Sequence, residues 1–217
     1  MLAERLPATL QLAAAGLLVA MFVGIPLGIV AAINRNTFID KFAKVFAIVG
    51  MSAPQFWIAI MTIMLFAAYW KILPTHGKGG LDHYILPSIT ISLFIMAGFM
   101  RLTRSSMLEV MDSEFVKFAR IKGLSERMVV YKHALKNAII PILTFGGVSF
   151  AGLLNGAIVI EVVFAWPGLG RLMLDSIRER DTQVIMATIL TSGFLYILMA
   201  TIVDILYAYV DPRIRFA

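Results

Sequence analysis

The side chains that could do chemistry are few in this chain. Its 217 residues include three histidines and no cysteine, so a disulfide framework, a thiolate metal site and a cysteine nucleophile are all excluded. His76 and His83 flank a glycine-rich segment with Asp82, but a metal site needs more ligands at shorter spacing. The sequence contains no nucleophile elbow, zinc-type H-E-x-x-H or Walker A loop. We therefore predict no catalytic residue, no metal and no bound cofactor.

The composition indicates where such a chain must reside. Hydrophobic residues make up 60% of the sequence and charged residues 15%, whereas soluble domains carry roughly a quarter charged residues. This balance excludes a disordered chain and a nucleic-acid-binding module despite the net charge of +6, and it argues against a soluble enzyme. We predict an integral membrane protein.

Five stretches contain no Asp, Glu, Lys or Arg and define the elements that must position any site. Each is long enough for a membrane-spanning helix, which needs roughly 17 to 25 residues, and none shows the alternation of a membrane barrel. The sequence therefore predicts an all-α, polytopic bundle forming one transmembrane domain over 1–217. The predicted spans are 6–33, 45–70, 84–100, 137–160 and 182–203.

The distribution of basic residues predicts the orientation. With the N-terminus outside, 13 of the 19 Lys and Arg residues fall on the inner side, in 34–44, 101–136 and the tail after 203. The positive-inside rule thus places the N-terminus outside and the C-terminus inside. A first helix that starts outside without a signal peptide also leads us to expect an upstream span that this chain lacks.

The longest inner segment, 101–136, has a helical pattern of its own. Asp112 and Ser113 precede Glu114 as a helix start, Gly123 ends that helix, and Ser125 starts another. The first helix carries apolar groups that the bilayer is not positioned to cover. It could lie on anionic lipid or dock on a cytoplasmic protein, and the glycine corner favours a protein partner.

At this segment the sequence resembles a known family. The run EFVKFARIKGLSERMVVYKHALKNAIIPILT is similar to the cytoplasmic EAA loop in permease subunits of binding-protein-dependent ABC importers, especially the dipeptide/oligopeptide/nickel branch. Gly123 takes the place of the signature glycine. The Glu-Ala-Ala positions fall on Lys117, Phe118 and Ala119, of which only Ala119 matches, and the later proline is replaced by Lys136. SAPQFW at 52–57, EVVFAWPGLGRLMLDSI at 161–177 and VDPRIR at 210–215 also resemble this branch.

The resemblance implies a non-catalytic permease subunit of a bacterial or archaeal cytoplasmic membrane. It would pair with a homologous second permease, with two cytoplasmic ATPase subunits that hold ATP and Mg, and with an extracytoplasmic solute-binding protein. Peptides are the expected substrate, with nickel or another small solute as the alternative. Family members also carry one more N-terminal helix. The residues expected to couple to the ATPase are Glu114, Phe115, Lys117, Phe118, Ala119, Arg120, Lys122 and Gly123.

A function of another class stays open from the residues alone, namely a secondary carrier or channel that works by itself. Proton- or sodium-coupled carriers usually place ionisable groups within their spans. No charged residue lies in the middle of a predicted span here, which weakens that alternative.

A few other residues within or beside the spans invite interpretation. The pairs Gly24/Gly28 and Gly152/Gly156 could form a seam between permeases or ordinary packing within one subunit. Asn155 could line a translocation path or bond to another helix. We expect Glu161 at the membrane interface. Trp166 is expected to anchor an elbow there, before a short helix over 171–180 that contacts the binding protein or lipid.

Overall fold

The computed structural model describes residues 1–210; for Asn155, Gly156, Asp204 and 206–210 it describes the backbone alone. Residues 211–215 of the VDPRIR motif, the side chain of Asn155 and the surroundings of Gly156 therefore lie outside the described part. Within that part, regular structure is helical throughout. The helices are α1 (Leu2–Ile33), α2 (Phe38–Ser52), α3 (Gln55–Thr62), α4 (Asp82–Met111), α5 (Glu114–Ile121), α6 (Glu126–Met128), α7 (Leu135–Gly156), α8 (Ile158–Val163), α9 (Leu169–Glu179) and α10 (Thr182–Val210).

Four continuous helical stretches of the described chain are long and apolar enough to cross a membrane. These are Leu2–Ile33, Asp82–Met111, Glu126–Leu154 and Thr182–Val203. The predicted span 45–70 is different: α2 and α3 meet at a bend of 103°, and α3 continues as a π-helical turn over Ile63–Tyr69. The break falls at Ala53 and Pro54, both in extended backbone, because the residue before a proline avoids the helical region.

The charge-free stretches underestimate the length of two helices. The predicted span 84–100 is part of α4, which runs on through Arg101 and Arg104 to Met111. Likewise α6, a π-helical segment over Val129–Ala134 and α7 follow one another without a break. This continuous helix begins at Glu126, within the segment predicted as a loop. Helices therefore extend from the apolar bundle directly to both sides of α5.

The core is centred on the packing of α1 against α4. Gly24 and Gly28 allow this approach, since a Cβ at Gly24 would lie 2.6 Å from the Met96 carbonyl oxygen. A Cβ at Gly28 would lie 2.7 Å from the carbonyl oxygen of Met100. We refer below to the two ends of the bundle as the α5 end and the α9 end.

Candidate functional site

At the α5 end, a short amphipathic helix projects from the bundle. Val116 and Ala119 of α5 are buried and pack against Val129, which anchors the helix on the segment before α7. The opposite face leaves Phe115, Phe118 and Ile121 exposed, at 46%, 62% and 79%. We call these three side chains the α5 apolar face. A folded helix that presents two phenylalanines and an isoleucine outward is suited to contact another protein.

The ends of α5 fall where the sequence predicts them. Ser113 is the residue before the first turn, but its hydroxyl donates to the Val110 carbonyl oxygen at 2.5 Å, so the expected side-chain cap does not form. Gly123 has φ of +76° with nothing within 4 Å of a Cβ, a conformation that glycine adopts without penalty. Ser125 accepts a bond from the Met128 amide at 3.4 Å and starts α6.

The charged residues of α5 largely pair with one another. Lys117 donates to Glu114 at 2.7 Å, and this carboxylate raises the pKa of Lys117 above its ordinary value. Arg120 donates to Glu126 at 2.9 Å, which links α5 to α6 across the Gly123 corner. Lys122 follows the last turn and is exposed. The α5 apolar face is thus bordered by partly neutralised charges.

Ion pairs connect α2 to α4 and connect the segment after α1 to the residues just before α5. Asp40 at the start of α2 is fully buried, and its carboxylate accepts two bonds from the guanidinium of Arg104 in α4, at 2.5 and 2.9 Å. Lys44 lies 3.0 Å from the same carboxylate, and the Asn36 amide donates to it at 3.0 Å. Arg35 donates to Asp112, just before α5, at 3.2 Å.

At the α9 end, a buried carboxylate organises three elements. Glu161 of α8 has no exposed surface and accepts bonds from the Thr9 hydroxyl of α1 at 2.6 Å and from the Gly170 amide at 2.7 Å. The Arg171 amide donates to it at 3.3 Å. Thr9 in turn accepts from the Leu169 amide at 2.9 Å. We call these five residues the Glu161 cluster.

The Glu161 cluster stabilises the first turn of α9. The amides of a helix N-terminus have no partner within the helix, and a carboxylate placed there also meets the positive end of the helix dipole. Burial nevertheless raises the pKa of Glu161 above its ordinary value, and the three hydrogen bonds only partly oppose that shift. Glu161 was expected at a span end, at the membrane interface; the structure adds that its carboxylate is buried within the protein.

Trp166 does not anchor its turn in lipid, as the sequence led us to expect. Its indole is fully buried, donates to the Ala8 carbonyl oxygen at 2.9 Å and packs edge-on against Tyr84 at 4.6 Å between ring centroids. It anchors the turn before α9 to α1 and α4 rather than to lipid. The sequence does contain a signal for this burial, because the residues around Glu161 are apolar and lead directly into the Trp-Pro-Gly turn.

The remaining predicted residues are spread through the bundle. Gly24 and Gly28 face α4 of the same chain, whereas a Cβ at Gly152 would meet no atom of the described residues within 4 Å. Within the part of the chain that the structure describes, Gly152 is therefore not at a close-packed helix contact. Among the described residues no group of three or more His, Asp and Glu side chains could hold a metal ion.

Comparison with known proteins decides the family. The model of the family described as "Binding-protein-dependent transport system inner membrane component" matches residues 24–216. The chain belongs to this permease family. It is 42% identical, over 99% of its length and 70% of the relative's, to the glutathione transport system permease protein of Escherichia coli (strain K12). It is 41% identical, over 99% of its length and 71% of the relative's, to a putative peptide transport system permease protein of Brucella abortus (strain 2308).

Solved structures agree on the fold of this permease. A chain of the MetNI methionine ABC transporter in an inward-facing conformation superposes with a TM-score of 0.80 at 14% identity, covering 97% of this chain and 96% of that one. A chain of an amino acid ABC transporter superposes with a TM-score of 0.76 at 14% identity, covering 96% and 93%. The fold is thus that of ABC transporter permeases.

Proposed function

We propose that this permease imports peptides, including small ones such as glutathione, and that α5 transmits ATP-driven motion from a partner ATPase to the spans. The α5 apolar face is the observation that carries the proposal. Its three exposed side chains sit on a helix whose other face is buried and whose ends are fixed. Similarity to the glutathione transport permease of Escherichia coli and the putative peptide transport permease of Brucella abortus supports peptides as the substrate class.

The coupling residues have distinct roles in this proposal. Phe115 and Phe118 would enter a groove of the ATPase, while Ala119 holds α5 on the bundle. Gly123 fixes the angle between α5 and α6. The remaining four residues are charged and would set the register of docking through ion pairs at the rim, which contribute more to orientation than to affinity: Glu114, Lys117, Arg120 and Lys122.

The assembly that we propose has five spans from this chain, with α2 and α3 forming one broken span. The N-terminus lies outside and the C-terminus inside, so that the α5 end faces the cytoplasm. A homologous second permease completes the path, two ATPase subunits bind ATP and Mg, and a solute-binding protein delivers peptide at the α9 end. The cytoplasmic membrane of a bacterium is the proposed location, and the basic residues near α5 support this orientation.

Co-purification of the assembled subunits tests the proposal. An affinity-tagged permease should retain its ATPase, and Phe118→Asp should release it because a buried apolar anchor becomes charged. Such an anchor contributes about 2 kcal/mol or more to binding, or about thirtyfold in affinity. Ile72→Asp is the matched control, since Ile72 is 64% exposed and lies in the loop before α4. Retention of the ATPase by Phe118→Asp would exclude α5 as its docking element.

A further inference from the structure

A groove between α2 and α4, near the α5 end, has no role in the coupling described above. Its volume is about 240 Å³, enough for a segment of an acyl chain. The wall is apolar, formed chiefly by Ala47, Ile48 and Met51 of α2 and Met100 of α4. Three basic residues stand at one side of it, Lys44, Arg101 and Arg104. We propose that this groove binds one anionic phospholipid, with an acyl chain in the groove and the headgroup on Arg101.

The charge of the rim favours an anionic headgroup. Asp40 accepts bonds from Arg104 and pairs with Lys44, so this carboxylate already offsets part of the charge of those two cations. Arg101 is exposed, and no carboxylate of the described residues pairs with it. Basic pockets between membrane helices at the cytoplasmic boundary bind acidic lipid headgroups in this manner.

The position of Arg101 matches the boundary between acyl chains and headgroups. It directly follows the charge-free stretch 84–100, and Lys44 directly precedes the stretch 45–70. α2 and α4 are antiparallel where they meet, because Asp40 pairs with Arg104 and Gly50 faces Ala97 and Leu93, so these cations lie at the same end of their apolar segments. A lipid with its phosphate beside Arg101 would place its acyl chain along the apolar segment.

The groove also opens onto a surface suited to lipid. Ile48, which lines the groove, is 66% exposed, and it continues into Phe42, Val45 and Val49 of α2, which are 63%, 58% and 59% exposed. This apolar helix face could alternatively be covered by a second permease. We favour the lipid because one molecule supplies both an acyl chain for the apolar wall and a phosphate for Arg101.

Photo-crosslinking tests this assignment on the transporter purified with its associated subunits. The probes are a phosphatidylglycerol and a phosphatidylcholine that carry the same photoreactive acyl chain, and peptide mass spectrometry locates the adducts. We expect phosphatidylglycerol to label 43–51 and 100–104 about fivefold more than phosphatidylcholine, as one interfacial cation implies. Arg101→Gln should abolish this preference, whereas Arg127→Gln, which removes an exposed charge outside the groove, should keep it.

Two results would overturn the assignment. Equal labelling by both lipids would mean ordinary, unselective solvation of the helices. Absence of lipid adducts in the groove, together with cross-links from Ile48→Cys to the second permease, would mean that the groove is a subunit interface. Because the chain has no cysteine of its own, cross-links through a thiol of this chain would come from the introduced residue. Which membrane leaflet supplies the lipid depends on the proposed orientation of the chain, but the existence of the site does not. Failure of peptide uptake and failure of lipid binding are therefore separate outcomes.

Discussion

The hydroxyl of Thr9 donates to the carboxylate of Glu161 at 2.6 Å, across 152 residues of sequence. This bond ties the first turns of α1 to α8, while the same carboxylate holds the first turn of α9. A bundle whose fold rests mainly on apolar helix packing thereby gains a specific polar connection at the α9 end. If a solute-binding protein docks here, as we propose, it meets a surface whose helices are fixed relative to each other.

Removal of this carboxylate should destabilise the protein. Glu161→Ala would leave the Gly170 amide without its acceptor in a buried site and deprive the Thr9 hydroxyl of its partner. Each unsatisfied buried group costs about 1–3 kcal/mol, so we expect a loss of at least about 2 kcal/mol. Thermal unfolding in detergent at about pH 4.5, where the contribution of Glu161 is present, measures the change. Glu179→Ala, at an exposed position of the same helix α9, should have little effect, and equal losses in both variants would contradict this role.

The same residue predicts a pH dependence of stability. Burial raises the pKa of Glu161 above 4.5, so between 4.5 and the raised pKa the folded state binds the proton more tightly than the unfolded state. The stability contributed by Glu161 is therefore fully present below pH 4.5 and is lost as the pH rises through the raised pKa. The unfolding temperature of the wild type minus that of Glu161→Gln should fall as the pH rises above 4.5. A difference that grows with pH would contradict the raised pKa.

We also predict that the buried pair of Asp40 and Arg104 contributes to the stability of the protein. Arg104→Ala leaves the Asp40 carboxylate buried with only Lys44 and the Asn36 amide, and breaking such a pair costs about 3 kcal/mol. Adding Asp40→Asn removes the stranded charge, so the double variant should be more stable than Arg104→Ala alone. Thermal unfolding again provides the measurement, with Arg127→Ala as the exposed control. A double variant less stable than the single one would show that the charge of Asp40 is not the cause.

Substitutions at Gly28 and Gly152, one residue from each glycine pair, test the packing of α1 on α4. Gly28→Leu would force a side chain against the Met100 carbonyl oxygen, 2.7 Å from the position of its Cβ. Overpacking of this kind costs about 1–3 kcal/mol. Gly152→Leu meets no described residue within 4 Å of its Cβ and should leave the unfolding temperature nearly unchanged. If both variants unfold at the same temperature, the close approach of α1 and α4 is not a source of stability.

Local features of the sequence predicted much of the fold. The charge-free stretches identify the apolar helices, and the order of Ser113, Gly123 and Ser125 gives the ends of α5 and the start of α6. These signals are local, because each depends on residues within one helical turn. What they could not give is the length of α4, since the helix continues past Arg101, where the charge-free stretch ends.

The burial of two residues depends on contacts far apart in sequence. Glu161 was expected at a span end and Trp166 was expected to anchor its turn at the interface, because aromatic side chains commonly lie there. Their burial requires Thr9 and the Ala8 carbonyl oxygen, more than 150 residues away. Asp40 is buried for the same kind of reason, because its partner Arg104 belongs to another helix. Such pairings are set by tertiary packing, and one sequence alone does not specify them.

Peptide uptake into proteoliposomes tests coupling through α5 most directly. The complete transporter is reconstituted with its solute-binding protein, and ATP-dependent accumulation of a labelled peptide is measured for the wild type, Phe118→Asp and Phe118→Leu. We predict uptake that requires both ATP and the binding protein, lost at least tenfold in Phe118→Asp and retained in Phe118→Leu, which keeps an apolar side chain on α5. Wild-type uptake by Phe118→Asp, at equal amounts of inserted protein, would contradict the central claim that α5 couples the ATPase to transport.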